Sequence, residues 1–313
     1  MTRYDLAITH DWEFDGDFVR LVTESAQSRN LTALLVPPAD AGRVLQDFRS
    51  GGLDFAVLFD RASGSSPEFI ALQALAVERG RDVIEGLDKL RWASDKATMH
   101  LEFHSADIPT PYTIILPAFA ARQGIDLTPR ELEPLGVPFV IKPANTTGGS
   151  LGVVADASGL DDVLAARRSF PADKYLLQEK VEPEVKDGRR FWFRGFYVLG
   201  QVHLTWWDDR THVYTELGHA EAAAAGLDPI YALVRAIARV SRLRFFSTEV
   251  ARDVRRRLVV VDYVNEICDM RLRSDHPDGV PDAVVERIAD RIAAHAAEAA
   301  APRSLRGRPG SPE

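Results

Sequence analysis

Residues 140–153, VIKPANTTGGSLGV, carry the strongest local chemical signal in the chain. An apolar run delivers Lys142, and a loop rich in hydroxyls and glycine follows: Thr146, Thr147, Gly148, Gly149, Ser150 and Gly152. Glycine lets the backbone turn sharply and approach a ligand, so such a loop can lay N–H groups on phosphate oxygens. Lys142 would add a point charge on the same oxygens. An ordinary hairpin turn with an incidental lysine explains the same residues. No G-x-x-x-x-G-K-[ST] occurs, which excludes a Walker-type site.

A second signal is VVVDYVNEICDM at 259–270, with TEV at 248–250 upstream. Asp262 and Asn265 end an apolar strand and Glu249 lies on the strand before it, which gathers oxygen donors. Mg²⁺ takes hard oxygen ligands, usually one or two carboxylates plus phosphate and water. LLQEKV at 176–181 is an apolar strand ending in Glu179, Lys180 and Val181. Its end can pair an adenine edge through backbone groups, with Glu182, Glu184 or Asp187 in reach of a ribose. A strand running into an acidic loop is the alternative. Lys96, in SDK at 94–96, reads by itself as a solvated surface lysine.

The elements that must position these residues follow from periodicity. Within 1–88, the strand candidates 5–9, 32–36, 55–59 and 82–86 alternate with amphipathic helical patterns. Such alternation predicts βαβ units and a mostly parallel sheet. The turn after the first strand, THDWEFDGD, lacks the G-x-G-x-x-G of a dinucleotide site. One helical segment is expected over 88–108, followed by strands at 111–116, 138–143, 152–155 and 175–181. Residues 189–216, rich in aromatic and β-branched side chains, predict antiparallel strands. A helix opens at Asp228-Pro229, two strands cover 245–251 and 257–264, and a last helix carries Val284, Val285, Ile288 and Ile292.

Composition sets the class. The chain has 313 residues with 46% hydrophobic and 27% charged, enough apolar material for a sizeable core. Its net charge of −8 argues against nucleic-acid binding through overall charge. The single cysteine, Cys268, excludes an internal disulfide framework and fits a reducing compartment. Neither a signal peptide nor a membrane-length apolar run is present, so a cytosolic protein that binds no membrane is expected.

Taken in order, SDK before a proline-stopped helix, VIKP with its glycine loop, QEKV, and a late carboxylate–Asn pair resemble the ATP-grasp superfamily, in its D-alanine–D-alanine ligase-like branch. The resemblance spans about residues 1–295. It implies an α/β and α+β protein with the ATP-grasp fold: an open α/β pre-ATP-grasp domain over 1–88, a small lobe over 89–182 and a large lobe over 183–300. A disordered tail is expected over 301–313. Position by position, Lys96 and Lys142 match the lysines that contact ATP phosphates, and 146–152 the mobile loop over them. Glu179, Lys180 and Val181 match the adenine hinge, and Glu249, Asp262 and Asn265 the holders of two Mg²⁺ ions.

There are departures. The family's Glu-x-Asn is Asp262-x-x-Asn265 here, which brings Glu266 or Asp269 forward as a substitute ligand. The ribose acid aligns near Arg190, leaving Asp187 or Glu184 to serve. STEV lacks the arginine that precedes the first metal acid, and EICDMRLRS replaces the Ser-Pro-Gly stretch of the dipeptide ligases, which argues against D-alanine as substrate. Arg194 and Arg271 are expected to bind the acyl substrate or the γ-phosphate, because arginine clamps such anions bidentately. The activity implied is an ATP- and Mg²⁺-dependent ligase joining a small-molecule carboxylate and amine, with a homodimer compatible. A kinase acting on a small hydroxyl and a non-catalytic nucleotide-binding module are the alternatives.

Other residues read as structural. His100 and His104 form a helix-surface pair, since Leu101 occupies the place where a zincin needs Glu. Cys268, beside Asp269, is not a nucleophile. Trp206, Trp207, Asp208 and Asp209 suggest core packing and a solvated turn, with a substrate-facing wall the alternative. Arg252, Arg255, Arg256 and Arg257 suggest a solvated hairpin tip.

Overall fold

The computed structural model describes residues 1–62, 64–146 and 151–300. The chain divides into two compact units, one of Met1–Leu87, Val198–Gln201 and the chain from Asp269, the other of Asp88–Tyr197 and Val202–Cys268.

In the first unit, strands Thr2–Thr9, Ala33–Val36, Leu53–Asp60 and Asp82–Ile84 form a parallel sheet in which the first strand lies between the second and third. The helices between them bury one stripe each: Val44, Leu45 and Phe48 from Pro38–Ser50, and Phe69, Leu72 and Ala76 from Pro67–Glu78. The helix Asp282–Ala300 completes this core. Its buried face runs from Val284 and Val285 through Ile288 and Ile292 to Ala296, one residue or two per turn. The Asp290 carboxylate accepts from Arg29 at 2.6 Å and Ser25 at 3.0 Å, and His295 meets Asp82 at 2.6 Å. Residues from Asp269 therefore cluster with the N-terminal unit, whereas the sequence grouped them with 183–268. The expected tail, 301–313, lies outside the described residues.

The second unit holds two larger sheets. One is antiparallel, in the order Thr113–Leu116, Tyr175–Glu179, Phe139–Pro143, Val154–Ala157. The other runs Tyr214–Glu216, Gln201–Trp207, Trp192–Val198, Phe245–Arg252, Leu258–Asn265. Phe139, Ile141, Tyr175 and Leu177 pack with Val163 of the helix Leu160–Ser169 on one side of the first sheet. A second core joins Met99 and Phe103 to Val234, Ile237, Phe246 and Val260.

The helical stretch expected to be continuous is broken into Leu87–Ser94 and Lys96–Ser105. Asp95 takes an extended conformation between them, and its carboxylate accepts from the Thr98 N–H at 2.8 Å, capping the second helix. Lys96 thereby opens a helix.

Candidate active site

Lys142 lies on Phe139–Pro143 and is only 8% exposed. Its ammonium donates to the Val261 carbonyl at 2.9 Å and stands 5.6 Å from the centre of the Tyr263 ring. Burial pushes its pKa below the ordinary lysine value; Asp262 opposes that shift, Lys96 adds to it, and Glu249 opposes it. All four charged side chains thus share one electrostatic neighbourhood. The Lys96 helix is tied to the lysine strand's end: Lys96 N–H donates to the Ala144 carbonyl at 3.0 Å, and Ala144 N–H to that of Lys174 at 2.8 Å. Lys174 also pairs with Asp95 at 2.5 Å.

Glu249 and Asp262 face each other across two antiparallel strands. Ser247 pairs with Asn265, so three steps on one strand match two on the other, and a further irregularity lies between Glu249 and Val250. These bulges explain the unusual spacing. A regular strand turns residues three apart to opposite faces, and one extra residue restores them to the same face. Asn265 Nδ2 accordingly donates to Asp262 Oδ2 at 3.0 Å, while Tyr263 and Val264 between them are buried. Burial works against the Asp262 carboxylate, yet Lys142, Lys96, Arg194 and the Asn265 hydrogen bond hold its pKa below the usual range.

Arg194, on Trp192–Val198, pairs with Glu249 at 3.1 Å and lies 4.8 Å from the Trp207 ring centre. Burial disfavours its charge, but Glu249 leads the groups that raise its pKa. Trp192 Nε1 donates to the other Glu249 oxygen at 3.3 Å. An arginine from the adjacent strand thus meets the first acid, although STEV itself has none. Burial raises the Glu266 pKa, with Lys96 lowering and Asp262 raising it, which puts Glu266 in the same neighbourhood. Glu249, Asp262 and Asn265 offer oxygen atoms of the hard type that Mg²⁺ takes, two of them from carboxylates. Among the described residues no group of three or more His, Cys, Asp or Glu could hold a metal.

The remaining candidates divide. Thr147, Gly148, Gly149 and Ser150 lie outside the described residues. At the loop's root, Asp173 accepts from Asn145 N–H at 2.9 Å and from Thr146 N–H at 2.7 Å. Glu179 exchanges backbone and side-chain bonds with Tyr112, at 2.9 and 3.0 Å. Lys180 pairs with Asp156 at 2.5 Å, and Val181 is half-buried. Asp187 is exposed and takes φ +51° ahead of Gly188 at +76°, so it shapes the tip of the hairpin Val185–Lys186/Arg189–Arg190. Glu184 accepts from Arg252 at 2.7 Å. Arg271 belongs to the first unit, where Asp269 and Asp278 occupy its guanidinium at 2.7 and 2.9 Å.

Two structural expectations change. His100 is 8% exposed rather than on the surface, and its Nδ1 meets the Tyr263 hydroxyl at 2.9 Å. Arg252 is buried against Phe191, 4.0 Å from its ring centre, not solvated at a tip. Trp207 is core, as expected, yet it also carries Arg194 on its face. The signal for His100 was its place beside Met99 and one turn from Phe103, both buried.

No protein-family model matches the sequence, and no curated protein matches it. Solved structures do match. A RimK domain ATP-grasp protein from Sphaerobacter thermophilus is 22% identical, with a TM-score of 0.61 over 92% of this chain and 98% of that one. D-alanine–D-alanine ligase from Bacillus anthracis, complexed with ATP, is 13% identical, with a TM-score of 0.62 over 95% and 98%. The ATP-grasp ligase PsnB, complexed with a minimal precursor, Mg and ADP, is 13% identical, with a TM-score of 0.61 over 94% and 98%. At these identities the likeness establishes the fold.

Proposed function

We propose that this chain, which has the ATP-grasp fold, is an ATP- and Mg²⁺-dependent carboxylate–amine ligase acting through an acyl phosphate. The observation that carries the proposal is geometric: the buried Lys142 ammonium reaches the Val261 carbonyl beside Asp262, Asp262 lies opposite Glu249, and the helix that Lys96 opens is tied to Ala144 at the end of the lysine strand. Those segments are remote in sequence, and charged groups of both signs gathered in this way are a mark of functional sites. The fold shared with ligases supports the reaction class.

In the proposed reaction an oxygen of the substrate carboxylate attacks the γ-phosphorus and ADP leaves. An amine then attacks the acyl carbon and phosphate leaves. Charge develops on oxygen in both steps, so positioned cations matter more than a protein nucleophile. Lys96 and Lys142 would bind phosphate oxygens, and Arg194 the transferred phosphoryl group or the acyl carboxylate. Glu179, Lys180 and Val181 would meet the adenine. Glu249, Asp262 and Asn265, with Glu266 beside them, would hold Mg²⁺, which when bound neutralises phosphate charge. Arg271 and Asp187 are assigned to their own loops.

Lys142→Ala is expected to weaken Mg-ATP binding at least about tenfold in calorimetry, the scale of one charge-assisted contact. Asp262→Asn is expected to lower turnover about a hundredfold or more while changing binding less than about tenfold. A carboxylate and amine panel scored for ADP and free phosphate tests the chemistry. Phosphate retained on a hydroxyl would make the chain a kinase, and Mg-ATP binding without ADP formation would make it a binding module.

A further inference from the structure

The Tyr263 hydroxyl sits where the elements carrying the candidate phosphate and metal residues meet. It receives a hydrogen bond from Gln178 Nε2 at 2.8 Å and faces His100 Nδ1 at 2.9 Å. Gln178 Nε2 also donates to Thr113 Oγ1 at 2.9 Å, and that hydroxyl donates to the Pro111 carbonyl at 2.9 Å. Because Gln178 donates to it, the tyrosine proton is free to go to His100 Nδ1, which must then be the unprotonated ring nitrogen. One set of donors and acceptors satisfies the whole chain.

Each partner comes from a different element. His100 is one turn along the helix that Lys96 opens. Gln178 is on Tyr175–Glu179 and pairs in register with Val140, two residues before Lys142. Tyr263 follows Asp262 directly and presents its ring to the Lys142 ammonium at 5.6 Å. The ring is fully buried, so its orientation depends on packing and on what holds the hydroxyl.

We propose that Tyr263 is a positioning residue for Lys142: its ring is the floor on which the ammonium rests, and His100 and Gln178 fix that floor through the hydroxyl. The proposal rests on Lys142 being a phosphate ligand, as argued above. A buried ammonium between Val261 O and an aromatic face is already desolvated and aimed, so a phosphate meets a prepared charge. If the ring is free to tilt, the ammonium spreads over several positions and the same contact costs more to make.

The test compares affinities for Mg-ATP and for adenosine in the full chain, since their ratio isolates the phosphate contribution from pocket integrity. Tyr263→Phe keeps the ring and removes the anchor; Tyr263→Leu also removes the aromatic face. The ratio is expected to fall about threefold in Tyr263→Phe and about tenfold in Tyr263→Leu, the scale of a desolvated cation–π contact. Adenosine affinity should change less than about twofold. In ¹⁵N-histidine NMR, the His100 Nδ1 resonance should shift in Tyr263→Phe, a readout that survives should Tyr263→Leu fail to fold. Ratios unchanged in Tyr263→Phe, or adenosine and Mg-ATP weakened equally, would overturn the positioning role. Lys142→Ala is the control: a normal ratio there would overturn the phosphate assignment itself, and a reduced ratio there with normal tyrosine variants would overturn only the inference.

Discussion

His100 reaches the lysine cluster by way of Tyr263, and burial, with His104 and Lys142 adding, lowers its pKa from 6.5 to about 4. The unfolded chain takes up this proton near pH 6.5, while the folded one resists it until about 4. Its contribution to stability is therefore complete above pH 6.5 and drains away as the pH falls toward 4. The span corresponds to on the order of 3 kcal/mol. His100→Gln should flatten this part of the profile, seen as a smaller drop in urea midpoint between pH 7 and pH 4.5 than in the parent chain. At this scale the sequence put forward Lys142, Asp262 and Asn265 as candidates, by type and by the apolar strands that lead to them. His100 and Tyr263 did not, because a histidine in a helix or an aromatic in a strand looks the same whether its polar atom is satisfied by water or by a partner far along the chain.

At the scale of single elements, the start of the Lys96 helix depends on Asp95. Its carboxylate caps Thr98 N–H and pairs with Lys174. Asp95→Ala should cost about 1–2 kcal/mol in chemical denaturation, with the cap the main loss. Gly195 offers a second test: a Cβ there would lie 2.7 Å from Val234 Cγ2, under the helix Asp228–Ser241. Gly195→Ala should destabilise the chain by roughly 1–3 kcal/mol, measured the same way. Parallel and antiparallel strands were readable from their apolar runs. The bulged strand was not readable. Counting residues between Asp262 and Asn265 gives the wrong face, since sequence spacing assumes a regular pleat and the extra residue exists only in the pairing with Phe245–Arg252. The helix break at Asp95 was missed for a related reason. Both flanks favour helix, and only the cap and the bond from Lys96 N–H to Ala144 decide where one ends and the next begins.

On the scale of the whole molecule, the first unit is made from both ends of the chain. The helix Asp282–Ala300 buries Ile288, Ala289, Ile292 and Ala293 completely or nearly so. A chain ending at Cys268 should lose the calorimetric transition of the first unit and bind an apolar dye, while the second unit keeps its own transition. Local patterns predicted each element of that unit but not its closure, because the apolar stripe of a helix does not say which sheet it covers. The arrangement also sets a timetable during synthesis. The second unit, Asp88–Cys268 apart from one turn, is translated between the two portions of the first. At ~5–20 residues per second the ribosome needs on the order of 10–40 s to cross that stretch. All four strands of the first unit's sheet thus leave the ribosome well before the helix Asp282–Ala300 that covers them, and their apolar face must stay clear of aggregation in the interval.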